Sequence, residues 1–137
     1  MELQQGANAP VSSDRAAVRF SWTAGADVEA DASAYLLTGT GRVRGDQDMI
    51  FYNQPVSADG AVRFSPEGAG RFEVDLSRVP EAIEKIVFCA TVNEANARGQ
   101  TLAHLRGAAI AVGEELRFAP ALDTAREAAM VFGELYR

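Results

Sequence analysis

The chain has 137 residues and a mass of 14.6 kDa, the size of one domain that buries its own core without disulfides. We therefore expect a single domain over residues 1–137. Its 13 basic and 19 acidic residues give a net charge of −6, which argues against binding of nucleic acid, because a phosphate backbone requires a clustered basic surface. The longest apolar runs fall short of the roughly 20 residues that cross a membrane, so we expect no membrane insertion.

The cysteine content and the first residues predict a cytoplasmic location. The chain has a single cysteine, Cys89, which excludes an internal disulfide and fits a reducing compartment. The opening sequence MELQQGANAP lacks the basic and apolar regions of a signal peptide.

The first predicted strand is marked by apolar residues at every second position. In residues 17–23, the side chains of Val18, Phe20 and Trp22 fall on one face and polar side chains fall on the other. This alternation is typical of a strand that is buried on one side.

Further short strands separated by turn residues follow along the chain. The Asp59-Gly60 pair between apolar runs is a strong hairpin signal, and we expect a brief helical turn at 77–81. The remaining predicted strands are 32–37, 49–52, 61–64, 71–76, 85–92, 108–112 and 115–118.

The last part of the chain leaves two interpretations open. Residues 124–137 fit a helix by their Ala and Glu content, or a strand with a bulge at Gly133. Many short strands with regular turn signals predict a mainly all-β fold, an antiparallel β-sandwich with short helical connections.

The composition argues against an enzyme. His104 is the only histidine, and a hydrolytic zinc site requires several His or Cys ligands. No nucleophile signature lies near His104, so we expect a surface or packing role for it. Cys89 lies in the predicted buried strand 85–92, where a free cysteine packs as a small apolar residue. We predict no catalytic and no cofactor-binding residues.

A run of acidic residues carries the most specific local signal. Asp27, Glu29 and Asp31 project to the same side if the segment is extended, because side chains alternate along a strand. Asp46 and Asp48 repeat the spacing further along the chain. Oxygen donors packed in this way suit Ca²⁺, which takes 6–8 oxygen ligands.

Other interpretations of these acids remain open from spacing alone. The run is not an EF-hand, because Ala32 stands where that loop needs Gly and Thr38 where it needs Glu. An acidic loop in solvent explains the spacing as well as a calcium site does. A hydrolase that uses an Asp or Glu pair is a third alternative, although no aromatic cleft accompanies the acids.

Several segments resemble the TerD family of tellurium-resistance proteins. Residues 31–37 are similar to its DASAFLL segment, residues 45–54 to GDxDFIFYNN, and residues 57–62 to SADGSV. The opening Leu3-x-x-Gly6-x-Asn8 resembles LxKGxN, and residues 132–137 also match. The similarity covers nearly the whole chain, with its motifs in the family's order.

The resemblance implies a non-enzymatic, calcium-binding β-sandwich of the bacterial response to tellurite and other chemical stress. It places Asp27, Glu29 and Asp31 on the family's DxDxD metal run, and Asp46 and Asp48 on a second acidic segment. Ca²⁺ and other stress-response proteins are the partners that it implies.

Two departures from the family pattern change these expectations. The family carries an acidic, glycine-rich loop resembling GDNxTGEGDGDDE after the SADG turn, whereas this chain has only residues 65–71 there. We therefore expect one Ca²⁺ site at most, and the alternative is a metal-free interaction module of the same fold. Family members also continue past Arg137 with a segment resembling GEWKFRAVGQGY. We accordingly expect an exposed strand edge and a homodimer through it.

Overall fold

The computed structural model describes residues 2–11, 13–24, 28–92, 100–114, 116–122 and 125–137. These residues contain strands joined by turns and by short 3-10 segments. The strands are β1 (Glu2–Leu3), β2 (Arg15–Thr23), β3 (Ala30–Thr38), β4 (Met49–Ile50), β5 (Val62–Ser65), β6 (Arg71–Asp75), β7 (Ile83–Val92), β8 (Arg106–Val112), β9 (Leu116–Phe118) and β10 (Ala129–Tyr136).

Two sheets pack face to face. The larger, six-stranded sheet has the order β1-β9-β8-β2-β6-β5, and the four-stranded sheet has the order β10-β7-β3-β4. All strand pairs are antiparallel except β1 with β9. The predicted mainly antiparallel β-sandwich is confirmed.

The apolar positions of the alternating strands form the core between the sheets. Phe72 on β6 and Phe88 on β7 are almost fully buried, and their rings meet across the two sheets at 5.5 Å between centroids. Phe20 on β2 packs against Phe72 and against Phe132 on β10. The alternation of residues 17–23 therefore places its apolar side inward as predicted.

The end of the chain is a strand and not a helix. β10 pairs with β7, and the register shifts between Val131 and Gly133, which is the bulge that the glycine signalled. Because of this shift, Val131 and Tyr136 lie on the same face as Cys89 and Lys85 of β7.

Other expectations need correction. The strand predicted at 49–52 ends at Ile50, because Phe51 and Gln54 bridge each other around a tight turn. Cys89 lies half-buried on the outer side of the four-stranded sheet, opposite Ser33 and Val131, so its predicted place in the core is wrong. β1 had no sequence signal, since two residues are too few to show a period.

Among the residues that the structure describes, no helix is long and apolar enough to cross a membrane.

Candidate functional site: the acidic segments

The first acidic run lies at the start of β3. Glu29 is exposed just before the strand, and Asp31 is half-buried opposite Thr91 of β7. The two carboxylates are two residues apart in sequence, one just before the strand and one on its second residue. The predicted ligand Asp27 lies outside the described residues.

The second acidic run lies further along the same edge of the four-stranded sheet. Residues Asp46–Asp48 form a 3-10 turn that leads into β4, where Met49 pairs with Tyr35. Asp48 is thus about five residues along β3 from Asp31, a separation of about 17 Å. Ca²⁺ binds its oxygens at 2.3–2.6 Å, so the described backbone does not bring the two runs together around one ion.

Asp48 is engaged by an arginine. It is only 1% exposed, and both of its carboxylate oxygens accept hydrogen bonds from Arg44. The Arg44 Nε and backbone N–H donate to Oδ2 at 2.9 and 2.8 Å, and Nη2 donates to Oδ1 at 2.8 Å. This bidentate pair supplies Asp48 with a fixed counter-charge.

The electrostatics of the pair follow from this geometry. Burial alone raises the pKa of Asp48, but the hydrogen bonds and the positive charge of Arg44 outweigh burial and leave that pKa below 3.8. The hydrogen bonds that Arg44 donates to Asp48 in turn raise the pKa of Arg44. Both groups are therefore charged at neutral pH.

Neighbouring polar groups hold the same segment in place. Asp59 lies 3.8 Å from Arg44, and its Oδ1 accepts hydrogen bonds from Ser57 Oγ and the Ala61 N–H at 2.7 and 2.9 Å. Gln54 Nε2 donates to the carbonyls of Asp46 and Met49 at 2.8 and 2.6 Å. These bonds hold residues 44–59, which connect β3 to β5, in one conformation.

These contacts bear on whether calcium fits. In the described ranges, no three His, Cys, Asp or Glu side chains converge into a group that could hold a metal ion. The Arg44 guanidinium lies against both carboxylate oxygens of Asp48 and competes with a cation for them. Among the described residues, the predicted ligands form two separate pairs, Glu29 with Asp31 at β3 and Asp46 with Asp48 before β4. The carboxylates of one pair alone supply fewer than the 6–8 oxygens that Ca²⁺ takes.

The residues considered for catalysis have other roles. His104 is exposed and its Nδ1 accepts a hydrogen bond from the Thr101 N–H at 3.0 Å, so it caps a 3-10 turn. Burial raises the pKa of Cys89 to about 11, with a further contribution from Glu134. A thiol with such a pKa stays protonated and is a poor nucleophile.

Sequence reasoning missed Arg44 as the partner of Asp48. The signal was the i, i+4 spacing of an arginine and an aspartate around the Gly45 turn. That spacing predicts contact only on a helix, and here the contact depends on a 3-10 turn that the sequence does not announce.

The two sheets and the acidic turn before β4 define a mainly antiparallel β-sandwich domain. A family model described as the TerD domain matches residues 1–137. The chain therefore belongs to the TerD domain family, as the sequence motifs predicted.

Relatives of known name agree with this assignment. The chain is 41% identical to a tellurium resistance protein TerD of Serratia marcescens, over 84% of this chain and 67% of that protein. It is 37% identical to a tellurium resistance protein TerD of an Alcaligenes species, over 100% of this chain and 83% of that protein. It is 35% identical to general stress protein 16U of Bacillus subtilis, over 82% of this chain and 66% of that protein.

A solved structure supports the fold. The crystal structure of a homologue of telluride resistance protein (TerD) from Streptomyces coelicolor A3(2) superposes with a TM-score of 0.68 at 17% identity. That superposition covers 90% of this chain and 80% of the other.

The Arg44 pair predicts a specific loss of stability on removal of the Asp48 charge. We expect Asp48→Asn to lower the free energy of unfolding by about 2 to 3 kcal/mol, because Arg44 loses the carboxylate that neutralises it. Contact of Arg44 with water keeps the loss from being larger. The matched control is Asp46→Asn at an exposed carboxylate, which should change stability by less than about 0.5 kcal/mol. Urea unfolding of both variants measures the difference, and equal losses would contradict the role of Arg44.

The stabilisation that the Arg44–Asp48 pair provides depends on pH. Because the pKa of Asp48 is lowered in the folded state, its contribution is complete well above the unfolded pKa of about 3.9 and disappears as pH falls through the folded value. The stability gap between the wild type and Asp48→Asn should therefore close in acid.

Proposed function

We propose that this protein is a non-enzymatic domain of the bacterial response to tellurium compounds and general stress, and that it acts by binding other proteins. The observation that carries the proposal is the match of the TerD family model to residues 1–137. The names of the relatives, tellurium resistance protein and general stress protein, supply the physiological setting.

The chemistry of the described residues supports a role without catalysis. The histidine caps a turn, the thiol has a raised pKa, and the most buried carboxylate is bound by an arginine. Nucleophilic catalysis requires a nucleophilic side chain and a base within hydrogen-bond reach of each other. A hydrolytic activity lost in His104→Ala with the fold intact would overturn this part of the proposal.

The proposed role predicts a growth phenotype. Disruption of the gene in its bacterial host should increase sensitivity to tellurite, and expression of the wild-type chain should restore growth. Survival on graded tellurite measures both. Unchanged sensitivity in the disrupted strain, with no other stress protein induced in its place, would contradict the proposal.

Calcium association at the start of β3 is the second candidate function. It is favoured by the spacing of Glu29 and Asp31, two residues apart at the start of β3, and Asp27 would have to contribute as well. We propose this site, and not the Asp46–Asp48 turn, as the place where a Ca²⁺ ion would bind, because Asp48 is engaged by Arg44.

Thermal melting in millimolar Ca²⁺ separates the two candidates. A ligand that binds only the folded state raises stability by about 2.7 kcal/mol at a hundredfold excess over its dissociation constant. A calcium site at the start of β3 predicts a rise in the melting temperature of the wild type that is lost in Asp31→Asn and kept in Asp46→Asn. A wild-type melting temperature that Ca²⁺ does not change would reject this second candidate and leave the first.

We also propose a homodimer formed through β10. Within the described sheet, β10 has β7 on one side only, and it carries the exposed side chains Val131 and Tyr136, at 49% and 60%. Antiparallel pairing of two β10 strands with Val131 opposite Tyr136 would cover both side chains. This register sets the two Glu134 carboxylates opposite each other, and the Lys85 ammonium, 3.7 Å from Glu134 in each copy, supplies their counter-charge.

The dimer predicts a concentration-dependent sedimentation coefficient. Val131→Arg should keep the protein monomeric, because a charge at the edge opposes strand pairing. Val56→Arg is the matched control, since Val56 is similarly exposed at 42% but lies away from β10. A monomeric wild type at millimolar concentration, or equal effects of the two variants, would contradict pairing through β10.

A further inference from the structure

The outer face of the six-stranded sheet concentrates positive charge in an acidic protein. The strand registers place six arginines there, among the 13 basic residues of the chain. Only Glu2, Glu73 and Asp75 provide negative charge from the same strands and the same side. We call this surface the arginine face, and its arginines are Arg15, Arg19, Arg63, Arg71, Arg106 and Arg117.

Half of these arginines have a carboxylate partner. Arg117 pairs with Glu2 at 3.1 Å, Arg15 with Asp75 at 3.7 Å, and Arg71 donates to Glu73 at 2.7 Å.

The other three are exposed and have no carboxylate within 4 Å among the described residues. They are Arg19, Arg63 and Arg106. The Arg19 guanidinium donates to the Gly113 carbonyl at 3.0 Å, which leaves its charge uncompensated.

One pair of arginines is unfavourable as it stands. Arg19 on β2 lies directly opposite Arg71 on β6, and like charges at directly opposite positions destabilise a strand pair. Arg71 is paired with both Glu73 and Glu67, whereas Arg19 has no carboxylate within 4 Å among the described residues. An anion bound from outside beside Arg19 would relieve the repulsion between the two arginines.

The three arginines without partners form a diagonal line across the sheet. Arg63 lies two strands and two residues from Arg19, which gives about 12 Å between Cα atoms, and Arg106 lies one strand and four residues away on the other side, about 14 Å. The line is therefore about 26 Å long, which an extended peptide of about nine residues spans.

We propose that the arginine face binds an extended acidic segment of a partner protein, with carboxylates at Arg63, Arg19 and Arg106. Guanidinium groups bind carboxylates through paired hydrogen bonds, and neutralisation at Arg19 removes the repulsion from Arg71. This inference rests on the proposed function, which it deepens by naming the chemistry of the partner.

The composition of the face favours a peptide over a nucleic acid. Glu73 and Asp75 lie between the arginines, and they would repel the evenly charged backbone of a nucleic acid. The exposed aromatic side chains of the described residues, Tyr52 and Tyr136, lie outside the arginine face. Single-stranded nucleic acids bind through base stacking on such side chains, whereas spaced carboxylates of a peptide need only the arginines.

Fluorescence anisotropy tests the proposal at low ionic strength, with a labelled peptide of about nine residues that has glutamate at its first, fifth and ninth positions and serine elsewhere. We expect saturable binding that weakens with salt, and a loss of at least about tenfold in affinity in the double variant Arg19→Gln/Arg63→Gln. The matched control Arg42→Gln/Arg126→Gln removes the same charge from exposed arginines elsewhere, and it should change affinity by less than about twofold. Melting curves of both variants verify that they fold.

Three outcomes would overturn the proposal. These are no binding of the peptide by the wild type, equal losses in the two double variants, or tighter binding of a single-stranded DNA oligonucleotide that depends on Arg19 and Arg63. The growth test distinguishes failure of this inference from failure of the proposed function. If Arg19→Gln/Arg63→Gln restores tellurite survival as well as the wild type does, the arginine face alone is rejected, whereas unchanged survival after gene disruption rejects the proposed function itself.

Discussion

Contact between the two sheets at Phe72 and Phe88 is the constraint on which the rest of the structure depends. Both rings are almost fully buried, and they meet at 5.5 Å between the sheets. Burial of such side chains contributes about 2 to 3 kcal/mol each, and it requires every second residue of β6 and β7 to be apolar. The inner faces of the sheets therefore consist of apolar side chains that pack together. The charged residues lie on the outer faces and in the turns.

The charges outside the core fall into two arrangements with different consequences. In the turn before β4, Asp48 is buried and its charge is neutralised by Arg44 within the same segment. On the outer side of β2 and β5, Arg19 and Arg63 are exposed, with no carboxylate within 4 Å of either among the described residues. The Arg44–Asp48 pair is neutralised within the chain and stabilises the fold, whereas Arg19 and Arg63 remain available to bind an acidic partner.

Much of the fold could be predicted from the sequence, because alternation is a local signal. Val18, Phe20 and Trp22 indicated the inward face of β2, and the glycine at 133 indicated the bulge in β10. Strand registers were out of reach, since they depend on pairing between distant residues. For this reason neither the approach of Arg19 to Arg71 nor the short parallel pair of β1 with β9 could be foreseen.

The candidate site was predicted less well than the fold. Spacing grouped Asp31 and Asp48 as ligands of one metal, but the register of β3 with β4 separates them along the sheet. A carboxylate in a sequence carries no sign of whether its counter-charge is an ion or an arginine. The sequence does not identify Arg44 as the counter-charge of Asp48, because that contact depends on the geometry of the turn.

A crystal structure of the protein grown in millimolar calcium chloride tests the central claim, that Arg44 and not a metal ion neutralises Asp48. We predict electron density for the Arg44 guanidinium against both carboxylate oxygens of Asp48, with no cation bound to either oxygen. Density for a calcium ion coordinated by Asp48, with the Arg44 side chain turned away, would contradict the claim.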